Sequence, residues 1–191
     1  MRAHKLYAKM SKCTFGVTRV DYLVHIISDK GVAIDPTKVE AMKNWPKPQN
    51  LKQLRGFLGL TGHYRRFVRN YALISQPLTA LLKKNAYAWN ERAELAFENL
   101  KLAMFQAPVL KLPNFNEPFI VETDASGLGI GAILQQIGHP VAYMSKSLAL
   151  KHHSLSTYEK EFLAVIQDLD KWRGYLLDRY FTIKTDHFSL K

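Results

Sequence analysis

Apolar positions change their spacing several times along the chain, and each change marks an element. Phe15, Val17 and the run Tyr22-Leu23-Val24-His25-Ile26-Ile27 carry the aromatic and β-branched residues that favour strands. Asp29-Lys30-Gly31 supplies a turn from which Val32 to Ile34 can return, so residues 11–34 read as a hairpin-like β segment. Asp35 followed by Pro36 marks the start of a short helix, which stops near Asn44 because Trp45-Pro46-Lys47-Pro48 cannot continue it. A second helix begins after Asn50, with Leu51, Leu54 and Leu58 on one face and Phe57 alongside. It leads through Gly59 and Gly62 into His63-Tyr64-Arg65-Arg66-Phe67-Val68-Arg69. Pro77 is expected to open another short helix through Leu82. Asn90 caps the next, where Ala93, Ala96, Phe97, Leu100, Ala103 and Met104 form the apolar stripe of an amphipathic helix that Pro108 ends.

The period then shortens. Leu112-Pro113-Asn114-Phe115-Asn116-Glu117-Pro118 reads as a linker. Beyond it the pattern is β, β, β, α, β. Strands are expected near 118–124, 129–136 and 139–145, a helix over about 156–175 and a last strand near 180–186. A strand that follows a helix implies a crossover connection. The fold class is therefore α/β in the mixed α+β sense, with a helical region ahead of a β-β-β-α-β core.

Composition supports a packed core, with 47% hydrophobic residues. No apolar run approaches the roughly 18 residues of a membrane span. The N-terminus lacks the apolar core of a signal peptide, so an intracellular protein, cytoplasmic or nuclear and without a membrane partner, is expected. The single cysteine, Cys13, excludes an internal disulfide and a cysteine-cluster zinc site. Net charge is +11, and it is unevenly placed. Residues 1–90 hold 16 Lys/Arg against 4 Asp/Glu, whereas residues 91–191 hold 11 against 12. A basic half joined to a half with clustered carboxylates suits a protein that holds a polyanion with one and cuts it with the other.

Three acidic residues stand where a divalent-cation site can be built. Asp124 ends the apolar run from Pro118, Glu161 lies in the amphipathic helix, and Asp186 ends the run Tyr180-Phe181-Thr182-Ile183-Lys184-Thr185. Taken alone, Asp124 reads more readily as a turn aspartate bonding its own backbone beside Ser126 and Gly127. Glu159 has a structural role in a capping box with Ser156, whereas Glu161 projects toward the Val165 and Trp172 side of its helix, where a carboxylate is costly unless it meets a cation. His187 has no nucleophile motif to serve, and His152 and His153 have no third ligand at zinc spacing. Converging carboxylates suit magnesium, whose hard-oxygen preference leaves positions for phosphate and water during in-line displacement.

Several motifs carry a family resemblance. Thr123-Asp124-Ala125-Ser126 with Gly129-Ile130-Gly131-Ala132-Ile133-Leu134-Gln135-Gln136 resembles the start of the ribonuclease H domain of gypsy-type LTR retrotransposon polyproteins. So do Tyr143-Met144-Ser145-Lys146-Ser147-Leu148, Glu161-Phe162-Leu163-Ala164-Val165, Lys171-Trp172-Arg173-Gly174-Tyr175-Leu176 and Thr185-Asp186-His187-Phe188-Ser189-Leu190. The first part is similar to the end of the preceding reverse transcriptase, through Lys12-Cys13-Thr14-Phe15, Tyr22-Leu23-Val24-His25, Phe57-Leu58-Gly59-Leu60, Tyr64-Arg65-Arg66-Phe67 and Gln76-Pro77-Leu78-Thr79.

The resemblance implies three regions. These are the end of a reverse transcriptase palm over 1–34, a helical thumb and connection over 35–112, and a ribonuclease H-like domain over 113–191 that is truncated after its fourth strand. It implies that strand four lies parallel to strand one and brings Asp124 and Asp186 together. It implies Asp124, Glu161 and Asp186 as catalytic ligands of Mg2+ (or Mn2+), and an RNA–DNA hybrid as substrate. The segment with His25 would handle the primer strand, although Val24 stands where the family usually has Gly. Arg65, Arg66 and Arg69 are candidate phosphate contacts and Tyr64 a candidate stacking ring, against the equal reading that Tyr64 and Phe67 are core and the arginines solvate a helix face. Lys83-Lys84 suits a helix C-terminus.

No Asp-Asp pair of a polymerase site occurs. The resembled domain continues past its third acid to a fourth, whereas this chain ends five residues after Asp186. A weak or inactive nuclease is therefore expected, self-associating through an open edge strand. The alternative is a non-enzymatic remnant that binds nucleic acid or a partner.

Overall fold

The computed structural model describes residues 7 and 9–185. Three short strands, β1 (Arg19–Tyr22), β2 (His25–Ser28) and β3 (Gly31–Ile34), form an antiparallel sheet in that order. The run Tyr22 to Ile27 is thus not one strand. Leu23 and Val24, at φ 47° and 62°, make a two-residue turn that pairs Tyr22 with His25. Folding the run back lets β1 and β2 satisfy each other's backbone groups, and that outweighs the β propensity of the turn residues. Phe15 and Val17 lie outside the strands and are exposed.

The helices begin where the caps place them. Helix α1 (Pro36–Lys43) starts at Asp35, whose carboxylate accepts from the Thr37 amide at 2.8 Å. Helix α2 (Leu51–His63) starts at Asn50, whose side chain accepts from the Gln53 amide at 3.0 Å. After a 3-10 turn over Arg65–Phe67, helix α3 spans Tyr71–Ala80 with Pro77 inside it. Pro77 therefore does not open the helix. It forfeits one backbone bond, and the buried side chains Tyr71, Ser75 and Leu78 hold the helix regardless. The Tyr71 hydroxyl adds a 3.0 Å bond with that of Thr61. Helix α4 (Glu91–Phe105) is capped by Asn90. Met42, Leu54, Phe57, Tyr64, Phe67, Leu78, Phe97, Leu100 and Met104 form the fully buried centre of this helical layer.

The second sheet has the order β6-β5-β4-β7, with β4 (Phe119–Ala125), β5 (Gly129–Gln136), β6 (His139–Ser147) and β7 (Phe181–Lys184). β7 pairs with β4 in parallel, from Phe119↔Phe181 to Glu122↔Lys184, which is the expected crossover. The expected long helix is broken at Trp172 into α5 (Thr157–Lys171) and α6 (Arg173–Leu176). Successive strand residues face opposite sides. Phe119, Val121 and Thr123 face α5 and α6 and, with Ala132, Leu134, Trp172 and Leu176, build that core. The other face carries Glu122, Gly129, Gly131, Tyr143 and Ser145, and meets α3 and the 3-10 turn. The segment after α4 ties the layers together. Leu110 exchanges backbone bonds with Val32, and the Lys111 amide donates to the Pro140 carbonyl at 2.8 Å. The buried Gln136 amide donates to the Asn114 and Glu117 carbonyls at 2.8 and 2.9 Å, which pins the linker.

Candidate active site and nucleic-acid interface

Helix α5 starts with the full capping box. The Ser156 hydroxyl accepts from the Glu159 amide at 3.2 Å, and the Glu159 carboxylate accepts from the Ser156 amide at 2.8 Å. Glu159 is thereby used at the helix end, and those Ser156 bonds hold its carboxyl below the usual range. Two residues on, Glu161 turns inward and is 3% exposed. Its Oε1 accepts from the Ala125 amide at 3.2 Å, which places the carboxylate beside the end of β4.

Asp124 precedes Ala125 and is exposed. It stands in register with Gly131 and shares the α3-facing side of β4 with Glu122. The pleat thus turns the Asp124 side chain toward α3, while the Glu161 carboxylate meets the backbone amide of the next residue at the strand end. Asp186, the third candidate, lies outside the described residues. Among the described residues, no group of three His, Cys, Asp or Glu side chains assembles as a metal site. A cavity of about 360 Å3 opens at this end of the sheet, lined by Arg69, Glu122, Thr123, Asp124, Lys184 and Thr185.

The candidate nucleic-acid contacts divide. Tyr64 is fully buried, and its hydroxyl donates to the Val24 carbonyl at 3.2 Å, so its ring packs in the core instead of stacking on a base. His25 is half-buried, with its ring 5.4 Å from that of His63, 5.5 Å from Tyr64 and 5.4 Å from Phe67. Burial holds its imidazole below the ordinary histidine value, and the nearby His63 and Arg66 charges act the same way. Its ring packs against this aromatic cluster while part of it stays accessible. The aromatic character that suggested stacking is the same character that builds a core. Arg66 is half-buried with its guanidinium 6.0 Å from the Phe67 ring. Arg65 and Arg69 are exposed.

Two features escaped the sequence pattern. Asp168 is fully buried on α5, facing Thr123 of β4. Among the described residues, the Thr123 hydroxyl is the hydrogen-bonding group that faces it. Burial pushes its carboxyl up to about 7, the Glu161 charge adds to the rise, and the Thr123 hydroxyl opposes it. Its signal was available, because Asp168 lies seven residues after Glu161 on the same inward stripe. The second feature is the outer face of α2. At about 100° per residue, Lys52, Arg55, Gly56, Gly59 and His63 fall on one side, and all five are exposed.

Comparisons with known proteins agree with this architecture. A family model described as the RNase H-like domain found in reverse transcriptase matches residues 89–183. The retrovirus-related Pol polyprotein from transposon 297 of Drosophila melanogaster is 40% identical over 188 residues, which is 97% of this chain and 18% of that polyprotein. An uncharacterized mitochondrial protein of Arabidopsis thaliana is 56% identical over 119 residues, covering 61% of this chain and 75% of the relative. The foamy viral protease-reverse transcriptase, solved in complex with dsDNA, shares the fold at TM-score 0.80 and 23% identity, over 91% of this chain and 38% of that one. The chain thus spans less than a fifth of the transposon polyprotein it matches.

Proposed function

Because the chain belongs to the retrotransposon Pol family whose reverse transcriptase carries an RNase H-like domain, we propose that it is of gypsy type and acts on RNA–DNA hybrids. Its basic half holds the duplex, and Asp124, Glu161 and Asp186 direct metal-dependent hydrolysis of the RNA strand. The observation that carries this reading is the bond from the Ala125 amide to Glu161, which brings a buried carboxylate to the strand end that bears Asp124.

RNase H-like domains of reverse transcriptases are in general dependent on divalent metals. The chemistry here suits such an ion, since Glu161 is a hard-oxygen donor buried beside the end of β4, where a divalent cation offsets its charge. Asp124, Glu161 and Asp186 would hold Mg2+ or Mn2+, which supplies activation of water and charge neutralisation at the leaving 3′ oxygen. The chain's own groups do the rest. Backbone bonding fixes Glu161. Asp124 reaches solvent and substrate from the strand end. Lys52, Arg55 and Arg65 offer exposed phosphate contacts across the helical layer. Selection of RNA would come from 2′-hydroxyl contacts along the minor groove.

The test compares Glu161→Gln with Glu159→Gln in cleavage of a labelled hybrid with Mn2+. The reading requires that Glu161→Gln lose at least tenfold in rate while Glu159→Gln stays near the parent. Equal rates for the two would remove Glu161 from the site. The uneven charge also supports a second reading, a module that binds nucleic acid without cutting it. Binding without cleavage in both metals would favour that one. The exposed residues of β7, one of the two edge strands of the second sheet among the described residues, further support self-association through this edge.

A further inference from the structure

The cavity at the end of β4 takes its lining from both layers of the molecule. Glu122, Thr123 and Asp124 come from β4, Lys184 and Thr185 from β7 and its end, and Arg69 from the connection between the 3-10 turn and α3. Arg69 is held there by its neighbours. Asn70 adopts the left-handed conformation at φ 57°, and its side-chain oxygen rests where a Cβ on Gly131 would overlap it. Leu73 rests against Gly129 in the same way. The Ala72 amide donates to the Ser145 hydroxyl at 2.8 Å. Two glycines of β5 and a serine of β6 thus seat the start of α3 on the sheet, and Arg69 follows from that seat.

The guanidinium lies 3.6 Å from the Glu122 carboxylate, with the two side chains 59% and 39% exposed. A long, solvated pair of this kind contributes little, so an incoming oxyanion displaces it at small cost. Lys184 pairs in register with Glu122, which sets a second cation at the same cavity. The space of about 360 Å3 admits a phosphate group. Guanidinium and ammonium groups from separate elements match its oxygens as a fork and a point charge.

We propose that Arg69 and Lys184 form a phosphate-holding pair that seats one backbone phosphate of a nucleic acid next to Asp124. The helical layer thereby completes the pocket of the ribonuclease H-like sheet. This inference rests on the reading that the chain holds an RNA–DNA hybrid, and its test separates the two. The full chain is titrated into a fluorescein-labelled RNA–DNA hybrid in Ca2+ buffer across a NaCl series, and anisotropy is read for the parent, Arg69→Gln, Arg69→Lys, Lys184→Gln and the control Lys171→Gln, an exposed residue at the end of α5 outside the basic half.

Arg69→Gln and Lys184→Gln should each weaken binding about tenfold and reduce the slope of log affinity against log salt by about 1. Arg69→Lys should keep the slope and lose part of the affinity, because a point charge replaces the fork. The control should stay within about twofold of the parent. All the altered side chains are exposed, so unchanged thermal melts accompany these effects. Parent-like affinity and slope for Arg69→Gln and Lys184→Gln would overturn the pair while leaving hybrid binding intact. A parent that fails to bind the hybrid at low salt would overturn both.

Discussion

Val24 and Asp168 are the residues whose environments ask most of their side chains. Val24 is β-branched and sits at φ 62°, a conformation that suits glycine. Val24→Gly should therefore stabilise the protein by about 1 kcal/mol in urea unfolding, since relieved strain of about 1–3 kcal/mol exceeds the added entropy of the unfolded glycine. The departure from the family's glycine was visible in the sequence, but the reason it matters was not. Strand propensity hid a turn that only the pairing of Tyr22 with His25 reveals.

Asp168 gives a pH dependence with a definite sign. Its carboxyl rises from the ordinary 3.8 to about 7 in the folded protein. Between those values the folded state keeps a proton that the unfolded chain has released, so stability falls as pH rises through this window. The loss, up to about 4 kcal/mol, is complete above about pH 7. Asp168→Asn should remove that slope and raise the melting temperature at pH 8, as measured by thermal unfolding from pH 4 to 8. An unchanged profile would mean that Asp168 is solvated. The inward stripe that selected Glu161 also contains Asp168, yet a charged residue among helix polar positions reads as surface until its burial is known.

At the scale of elements, capping and periodicity carried most of the fold. Asp35, Asn50, Asn90 and Ser156 all accept the backbone bonds their positions imply. Ser156→Ala should cost about 1 kcal/mol of stability. Chemical unfolding checks this, and a neutral result would deny the capping box any weight. Pro77 was misleading for a physical reason. Its preference for a helix start is a local effect, whereas Tyr71 and Leu78 fix α3 by burial against other elements.

The seam between α3 and β5 was equally illegible. Gly129 and Gly131 read as strand glycines, and nothing nearby in sequence announces that Asn70 and Leu73 rest on them. Gly131→Val should cost about 1–3 kcal/mol through overlap with Asn70, and it should broaden the unfolding transition as the layers separate. A melt superimposable on that of the parent would show that the seam yields freely. Alternation along β4 was legible, but which layer each face would meet was not. Nor did the sequence mark the Ala125 amide as the group that Glu161 would reach.

The whole molecule divides its charge unevenly along the chain. Positive charge gathers in residues 1–90, and the two buried carboxylates among the described residues, Glu161 and Asp168, lie on α5. The helical layer and the second sheet are joined at a seam that carries Arg69 to the sheet. Charge partition and family likeness were readable from the chain, and Tyr64 takes the core position that one of its two readings gave, whereas the packing of His25 against aromatic rings was not readable. The most direct measurement is cleavage of the RNA strand of a labelled RNA–DNA hybrid by the parent and by Asp124→Asn, titrated with Mg2+ and Mn2+. The account predicts slow, metal-dependent cleavage by the parent that falls at least tenfold in Asp124→Asn while hybrid affinity is retained. Equal cleavage by the two proteins, or none by the parent in either metal, would contradict it.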